Sequence, residues 1–379
     1  MPLYPLYPLL FVEHGLSDAA VSGLFVLWSL TSLVLEVPSG ALADSWSRPR
    51  LLAVSGVLGA AAFGSWVLLP TLPVFALGFV LWGTSTALAS GTLEALTYDA
   101  LIVRGDTDAY PTLMSRARAG ALVAVVVASL AAAPLVAVGG YLLVGAASAG
   151  TGVAMAVVAL TLPDDRPADG AVDTDTDTDT DTDTEPGSLS EWAAMLRAGL
   201  AETRRTPAVR RVVVATATVT GLVAVDEYLP LVASGGGAGP ELVAVLFAGL
   251  SVGEILGALA AGRWTRPGPV VLVLLLAGAA GSIAVGVFLP VVPGFALLAV
   301  GFGLLQMLMV ALDTRVQDAV TGPARATVTS VAGAGSEAMA ITVFATVGVG
   351  SVWVALPVLV AALMVPLAAA GLLLVRTRS

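Results

Sequence analysis

Four carboxylates stand in stretches that are otherwise almost wholly apolar: the adjacent Asp226 and Glu227, then Glu254 and Glu337. An ionised acid without a partner is costly in such surroundings, so acids kept there are either tied down or functional. The chemistry open to them is proton or cation exchange, because a carboxylate held away from bulk water can load a proton and release it later. Tyr228 and Pro230 follow the first pair and suggest a local bend or gate. Neighbouring residues on a helix point about 100° apart, so only one of Asp226 and Glu227 is expected to face a cavity directly. The alternative is that both reach the interface and solvate a helix end. Glu337 lies deeper in its apolar run than any other acid, with a purely internal hydrogen bond as its competing reading. Glu254 belongs to Gly249-xxx-Gly253-xxx-Gly257, whose small residues allow close helix packing. A structural bond to a neighbouring loop competes with function there, as it does for its first-half counterpart Glu36.

A second set of charges marks the ends of apolar runs. Glu94 and Asp99, and again Asp313 and Asp318, fall near expected helix C-termini, where acids oppose the helix dipole and need cations nearby. Arg116, Arg118, Arg315 and Arg325 are the available partners, and the arrangement suggests ion pairs that form and break as a gate, or static pairs. No enzyme constellation competes. There is no lysine for a phosphate-binding Gly-Lys-Ser/Thr loop, no cysteine for disulfides or thiolate metal sites, and the single His14 stands beside Glu13 in a short turn. The expectation is therefore a non-enzyme without cofactor or metal, driven by a proton gradient or, since carboxylates serve either ion, by sodium.

The elements that position these acids can be read from arginine spacing. All seventeen positive charges are arginine, and they leave six arginine-free stretches: 1–47, 51–103, 119–165, 212–262, 267–314 and 326–375. Each is long enough for two crossings of roughly twenty apolar residues and a tight turn. Twelve crossings follow. Because arginine is kept to cytoplasmic loops, both termini and the long middle loop are expected inside a plasma membrane. The hydrophobic share of 57 %, mean hydropathy of +0.94 and 12 % charged residues exclude a soluble domain, and nothing points to nucleic acid. The lipid bilayer and a small-molecule substrate are the partners implied, with a monomer expected.

Span one is too short, since Pro2–Val12 would rise only about 16 Å as a helix. A start assigned too late would explain it, and no cleavable signal peptide is visible. Span two runs to about Pro38. Spans three to six are expected near 51–69, 73–98, 114–134 and 137–162, and spans seven to twelve near 209–232, 239–262, 268–289, 292–313, 326–348 and 352–375. Between them, Pro163–Pro186 turns to Asp, Thr, Pro and Gly, including six Asp-Thr repeats at 173–184, and reads as a flexible linker. Much of the net charge of −10 lies in that tract. With the absence of lysine and a low isoelectric point, it suggests a GC-rich, salt-adapted source. Ser188-Leu189-Ser190-Glu191 then forms a capping box before Trp192, Met195, Leu196 and Leu200, opposite Glu202, Arg204 and Arg205, a pattern expected of a helix lying on the membrane surface.

The chain also repeats itself. Leu35-Glu36 through Ala43-Asp44, then Trp46-Ser47-Arg48-Pro49, is echoed by Gly253-Glu254 through Ala260-Ala261, then Trp264-Thr265-Arg266-Pro267, each between the second and third spans of its half. The division expected is 1–162 for the first six-helix half, 163–207 for the linker and surface helix, and 208–379 for the second half. Gly40, Asp44 and Arg48 in this pattern resemble the signature loop of the major facilitator superfamily. Ser47 stands where the family usually has glycine, and Pro49 where it has a second basic residue. The fourth span lacks the arginine that many proton-coupled members carry, and Ala133-Pro134 through Gly139-Gly140 is loosely similar to the Gly-Pro-rich signature of drug:proton antiporters. The resemblance implies an all-α, twelve-helix bundle of two halves working by alternating access. It also implies that Asp44 faces the N-terminus of span eleven, near Arg325. With cavity positions poor in the polar groups of a sugar site (Tyr4, Tyr7, Trp82, Thr84, Ser85, Thr86, Gln306, Met307), the function expected is proton-coupled export of apolar or amphipathic compounds. An importer of a small metabolite and a non-transporting receptor or scaffold are the alternatives.

Overall fold

The computed structural model describes residues 1–164, 197, 200, 201, 203–263, 267–319 and 324–375. The linker, the capping box with Trp192, Met195, Leu196 and Glu202, and the Trp264-Thr265-Arg266 echo lie outside the described residues. So do the side chains of Asp44 and Arg325, and with them their expected placement near one another. Among the described residues the chain is helical throughout. The helices are α1 (Tyr7–Glu13), α2 (Asp18–Ser45), α3 (Arg48–Leu68), α4 (Leu72–Arg104), α5 (Tyr110–Leu160), α6 (Pro207–Leu222), α7 (Leu229–Gly235), α8 (Pro240–Ala261), α9 (Pro269–Gly286), α10 (Val291–Ala319), α11 (Ala324–Gly350) and α12 (Leu356–Val375).

Lengths follow from the bilayer as solvent. A helix of 21 residues such as α3 rises about 31 Å, one hydrocarbon thickness. Nine of the described helical stretches are long and apolar enough to cross, and Leu356–Gly371 is a shorter apolar helix. One of the nine, Thr107–Leu160, folds back on itself. Its reversal is at Gly139-Gly140, where Gly140 takes φ 58 and ψ −162. The sequence reading put this turn beside Pro134, but the proline is absorbed in the helix and the glycine makes the turn. That backbone region is open essentially to glycine alone, while space for a Cβ is free. Gly140→Ala is therefore expected to lower stability by about 1–3 kcal/mol through the backbone alone, measurable as a lower melting temperature in detergent.

Two other boundaries differ from expectation. Helix α2 continues through Pro38 to Ser45, so Gly40 and Asp44 fall on its last turns and only Trp46 and Ser47 separate it from Arg48, the first residue of α3. Proline interrupts a membrane helix less than a soluble one, because neighbouring groups take up the freed carbonyl. The expected span seven is broken: α6 gives way to a 3₁₀ stretch, Val223–Tyr228, before α7 resumes. The first helix, α1, has seven residues. Residues 1–13 nevertheless pack deeply, with Leu3, Leu6, Tyr7 and Phe11 fully buried, and the Leu3 amide donates to Ser148 Oγ at 2.8 Å.

The loops fall on two faces. Arg48, Arg50, Arg104, Arg210, Arg211 and Arg263 mark one, here called the basic face. The turns at 14–17, 69–71, 139–140, 236–239 and 287–290 mark the far face and contain no arginine. Helices α2, α3, α4 and α5 pack on one another, as do α6 and α8 to α12, and the two groups meet where α2 lies on α11 and α5 on α8. This seam is where the functional side chains gather.

Candidate functional site

The 3₁₀ stretch decides where the central acids point. Tighter winding over Val223–Tyr228 interrupts the regular helix at the one place in α6–α7 that carries acids. Glu227 is 5 % exposed, and both its oxygens accept hydrogen bonds from the other side of the seam: Tyr4 Oη donates to Oε1 at 3.0 Å and Tyr7 Oη to Oε2. Its neighbour Asp226 is half-buried. Both line a cavity of about 270 Å³ together with Glu337 from α11, Trp28, Ser29 and Ser32 from α2, and Thr86 from α4. Adjacent acids were expected to diverge, one towards a cavity; here both reach it. Glu337 also meets the seam, through a hydrogen bond with Ser29, and feels Glu36 electrostatically. Among the described lining residues of this cavity there is no cation.

Glu254 is half-buried on α8. It lies outside the cavity's lining but close enough to Tyr4 and Asp226 to interact with them electrostatically. No bond from it to a loop is found among the described residues, and Glu36 is exposed on α2. The loops expected to bond to both lie partly outside the described residues; within them, Glu254 lies near Tyr4 and Asp226.

On the far side of the cavity the seam is shut. Tyr228 Oη donates to Ser22 Oγ at 2.8 Å, and the Phe25 ring sits 5.4 Å from Tyr228 and 5.2 Å from Phe344 between ring centroids. Aromatic packing continues around Tyr7, which lies 5.5 Å from Trp66 and 5.4 Å from Phe11, while Trp28 and Trp82 stack at 4.6 Å. Towards the basic face the two helix groups part around a vestibule of about 740 Å³, lined by Glu94, Tyr110, Arg118, Ile255 and Gln306 among others. The seam is open on the basic side and closed around Tyr228 on the other.

The expected gate residues are distributed differently from the sequence reading. Arg118 and Glu94 form an exposed pair at 3.5 Å across the mouth of the vestibule, within one helix group. Asp99 pairs with Arg48 at the start of α3 rather than with Arg116 or Arg118, and Arg48 also donates to Ala95 O at 3.1 Å. The start of α3 lies directly over the end of α4, nearer than α5, which explains the exchange of partners. Arg116 and Asp313 are exposed. Arg315, on α10, donates to the backbone carbonyl of Pro267 at 2.8 Å. Each half thus ties the connection between its second and third spans to its fourth span, once through a side-chain acid and once through a backbone carbonyl.

Tyr4 and Tyr7 were named as cavity positions; they are not among the lining residues of the 270 Å³ cavity, and they meet it as partners of Glu227, more than two hundred residues away. The signal available was only two tyrosines spaced three apart in an apolar segment.

The family model of the major facilitator superfamily matches residues 1–343. The chain belongs to the major facilitator superfamily. Membership makes it a multi-pass membrane transporter of small molecules rather than an enzyme, and the bundle is that superfamily's twelve-helix fold. No match to a curated protein sequence is found. Among solved superfamily structures, the nucleoside transporter NupG superposes with a TM-score of 0.71 at 14 % identity, over 99 % of this chain and 95 % of that one. A bacterial homologue of the human lysosomal transporter Spinster, in an inward-facing and unoccupied conformation, gives 0.67 at 16 %, over 99 % and 90 %. A D-xylose-proton symporter gives 0.66 at 14 %, over 96 % and 90 %. At these identities the likeness is one of fold.

Proposed function

We propose that the chain is a proton-coupled secondary transporter that exports small apolar or amphipathic compounds from the cytoplasm by alternating access. The observation that supports this reading is the seam cavity, where three acids gather without a cation among the described lining residues. Protons and substrate then compete for one set of carboxylates, and ligands that exclude each other on a shared site are carried in opposite directions. Trp28, Phe344 and the neighbouring Trp82 supply apolar and aromatic surface suited to such compounds. Two halves, residues 1–162 and 208–379 joined by a cytoplasmic linker at 163–207, rock about this seam. By the positive-inside rule the basic face is cytoplasmic, which makes this an inward-open state of a plasma-membrane monomer. The Glu94–Arg118 pair and the Arg48–Asp99 and Arg315–Pro267 ties act as inner-gate elements around the vestibule.

The test is transport by the purified protein in proteoliposomes with a trapped pH dye, across a panel of apolar and amphipathic compounds. A compound moving outward should draw protons inward, and Asp226→Asn should reduce that coupled flux roughly tenfold, the scale of one charged interaction lost in the cavity, with the melting temperature unchanged. Flux that answers to a sodium gradient and ignores pH would remove the proton reading. Movement of substrate with the proton would make the chain an importer, and neither flux nor binding across the panel would leave a scaffold.

A further inference from the structure

We propose that Tyr4 and Tyr7 are the coupling lock of this exporter: they hold the far face shut while Glu227 is ionised and the cavity is empty. The inference rests on the proton-exchange reading above and adds to it two residues whose work is to prevent turnover without cargo.

Both oxygens of Glu227 accept from tyrosine hydroxyls, an arrangement complete only when the carboxylate carries no proton of its own. Hydroxyl bonds to an ionised acceptor are roughly twice as strong as neutral ones. The tie is therefore strongest in the unprotonated carrier. It joins the segment before α1 and its first turn to the 3₁₀ stretch between α6 and α7, across the seam and beside the Ser22–Tyr228 closure. Opening the far face must pull these elements apart. The other charged groups around Glu227 are acids: Asp226 on the same turn, Glu254 from α8 and Glu337 from α11. With no cation lining the cavity among the described residues, the two phenols are what the ionised group has to bind.

Exchange of proton for substrate needs this asymmetry. An exporter must reorient when protonated and when loaded, but never when empty and ionised, because that step returns the carrier after each proton and drains the gradient. An importer must do the reverse and return empty. In the cycle, with the far face open and the phenols drawn away from the carboxylate, water on that side gives a proton to a Glu227 oxygen, so the carrier can close without re-forming the charged tie. The carrier turns, the proton passes to cytoplasmic water, and the phenols close on the carboxylate again. Substrate entering beside Asp226 competes for Glu227 and releases the lock from within.

Tyr7→Phe keeps the ring and its packing while removing the donor, and Tyr4→Phe does the same at the second oxygen. In proteoliposomes with an imposed pH gradient, potassium and valinomycin to clamp the voltage, and no substrate, the native protein should pass protons at the rate of empty vesicles. Tyr7→Phe should raise that leak roughly tenfold, the change expected from losing one hydrogen bond to a charged group, and should lower the substrate moved per proton. Adding Glu227→Gln to Tyr7→Phe should abolish the leak, since its carrier is then gone. An unchanged leak in Tyr7→Phe and in the Tyr4→Phe/Tyr7→Phe double variant, with substrate-driven proton movement intact, would overturn the lock and leave proton exchange standing. Absence of substrate-driven proton movement in the native protein would overturn both. A merely structural role of the tyrosines would lower the melting temperature and the flux together without opening a substrate-free leak.

Discussion

Glu227→Gln is expected to abolish transport driven by a pH gradient while sparing exchange of substrate for substrate. The amide has the shape of the acid, can accept from one tyrosine hydroxyl and donate to the other, and so leaves the seam packed. It cannot ionise. The variant is fixed in an uncharged form resembling the protonated carrier, which reorients but has no proton to exchange. From the size of effect typical of deleting a proton-transfer group, accumulation against a gradient should fall roughly a hundredfold or more. Counterflow, in which labelled substrate enters against unlabelled substrate, should stay within a few-fold of native, because Asp226 and Glu337 remain in the cavity to receive substrate. Comparing the two assays on one preparation makes the result decisive: gradient-driven accumulation close to native would take Glu227 out of the proton path and leave Asp226 or Glu337 to carry it.

The second large effect concerns assembly rather than chemistry. A Cβ added to Gly257 on α8 would collide with the backbone carbonyl of Gly303 on α10, and one added to Gly303 would stand 2.7 Å from the Gly253 carbonyl. Backbone meets backbone there, so no side chain can turn aside and the helices must separate. Gly257→Val is expected to cost about 1–3 kcal/mol or more, with a melting temperature lower by several degrees in detergent and a broadened size-exclusion profile. Gly249→Val is the control. It belongs to the same small-residue run, yet a Cβ there meets nothing within 4 Å, and its melting temperature should match the native protein. Equal loss in both variants would show that the α8–α10 approach is not what the run protects.

Much of the architecture was legible because the bilayer imposes simple arithmetic. Arginine spacing marks every return to one face, and apolar run length marks every crossing, so helix number and direction follow without tertiary knowledge. Local breaks were harder. Pro134 looks like the stronger punctuation beside Gly139-Gly140, but a membrane helix tolerates proline while only glycine takes the φ and ψ of position 140. The 3₁₀ winding at Val223–Tyr228 was foreshadowed by Pro230, though not its consequence that both acids reach one cavity. Candidate acids could be named from solvation cost alone. Their partners could not, because hydrogen bonds such as Tyr7 to Glu227 depend on how two distant helix groups close on each other. Asp99 shows the same limit at short range: sequence offered Arg116 and Arg118, and helix packing brought Arg48.

The two loop ties near the basic face carry a further consequence, one of heredity. In the first helix group the acceptor of Arg48 is the carboxylate of Asp99 as well as a carbonyl; in the second the acceptor of Arg315 is the Pro267 carbonyl. A carboxylate can be lost or exchanged by a single codon change, whereas a carbonyl belongs to every residue type. Drift can therefore retune the first tie from either end but the second only through its arginine. If the basic face of this transporter has been adjusted during its descent, the first helix group is where most of the single-step adjustments were available.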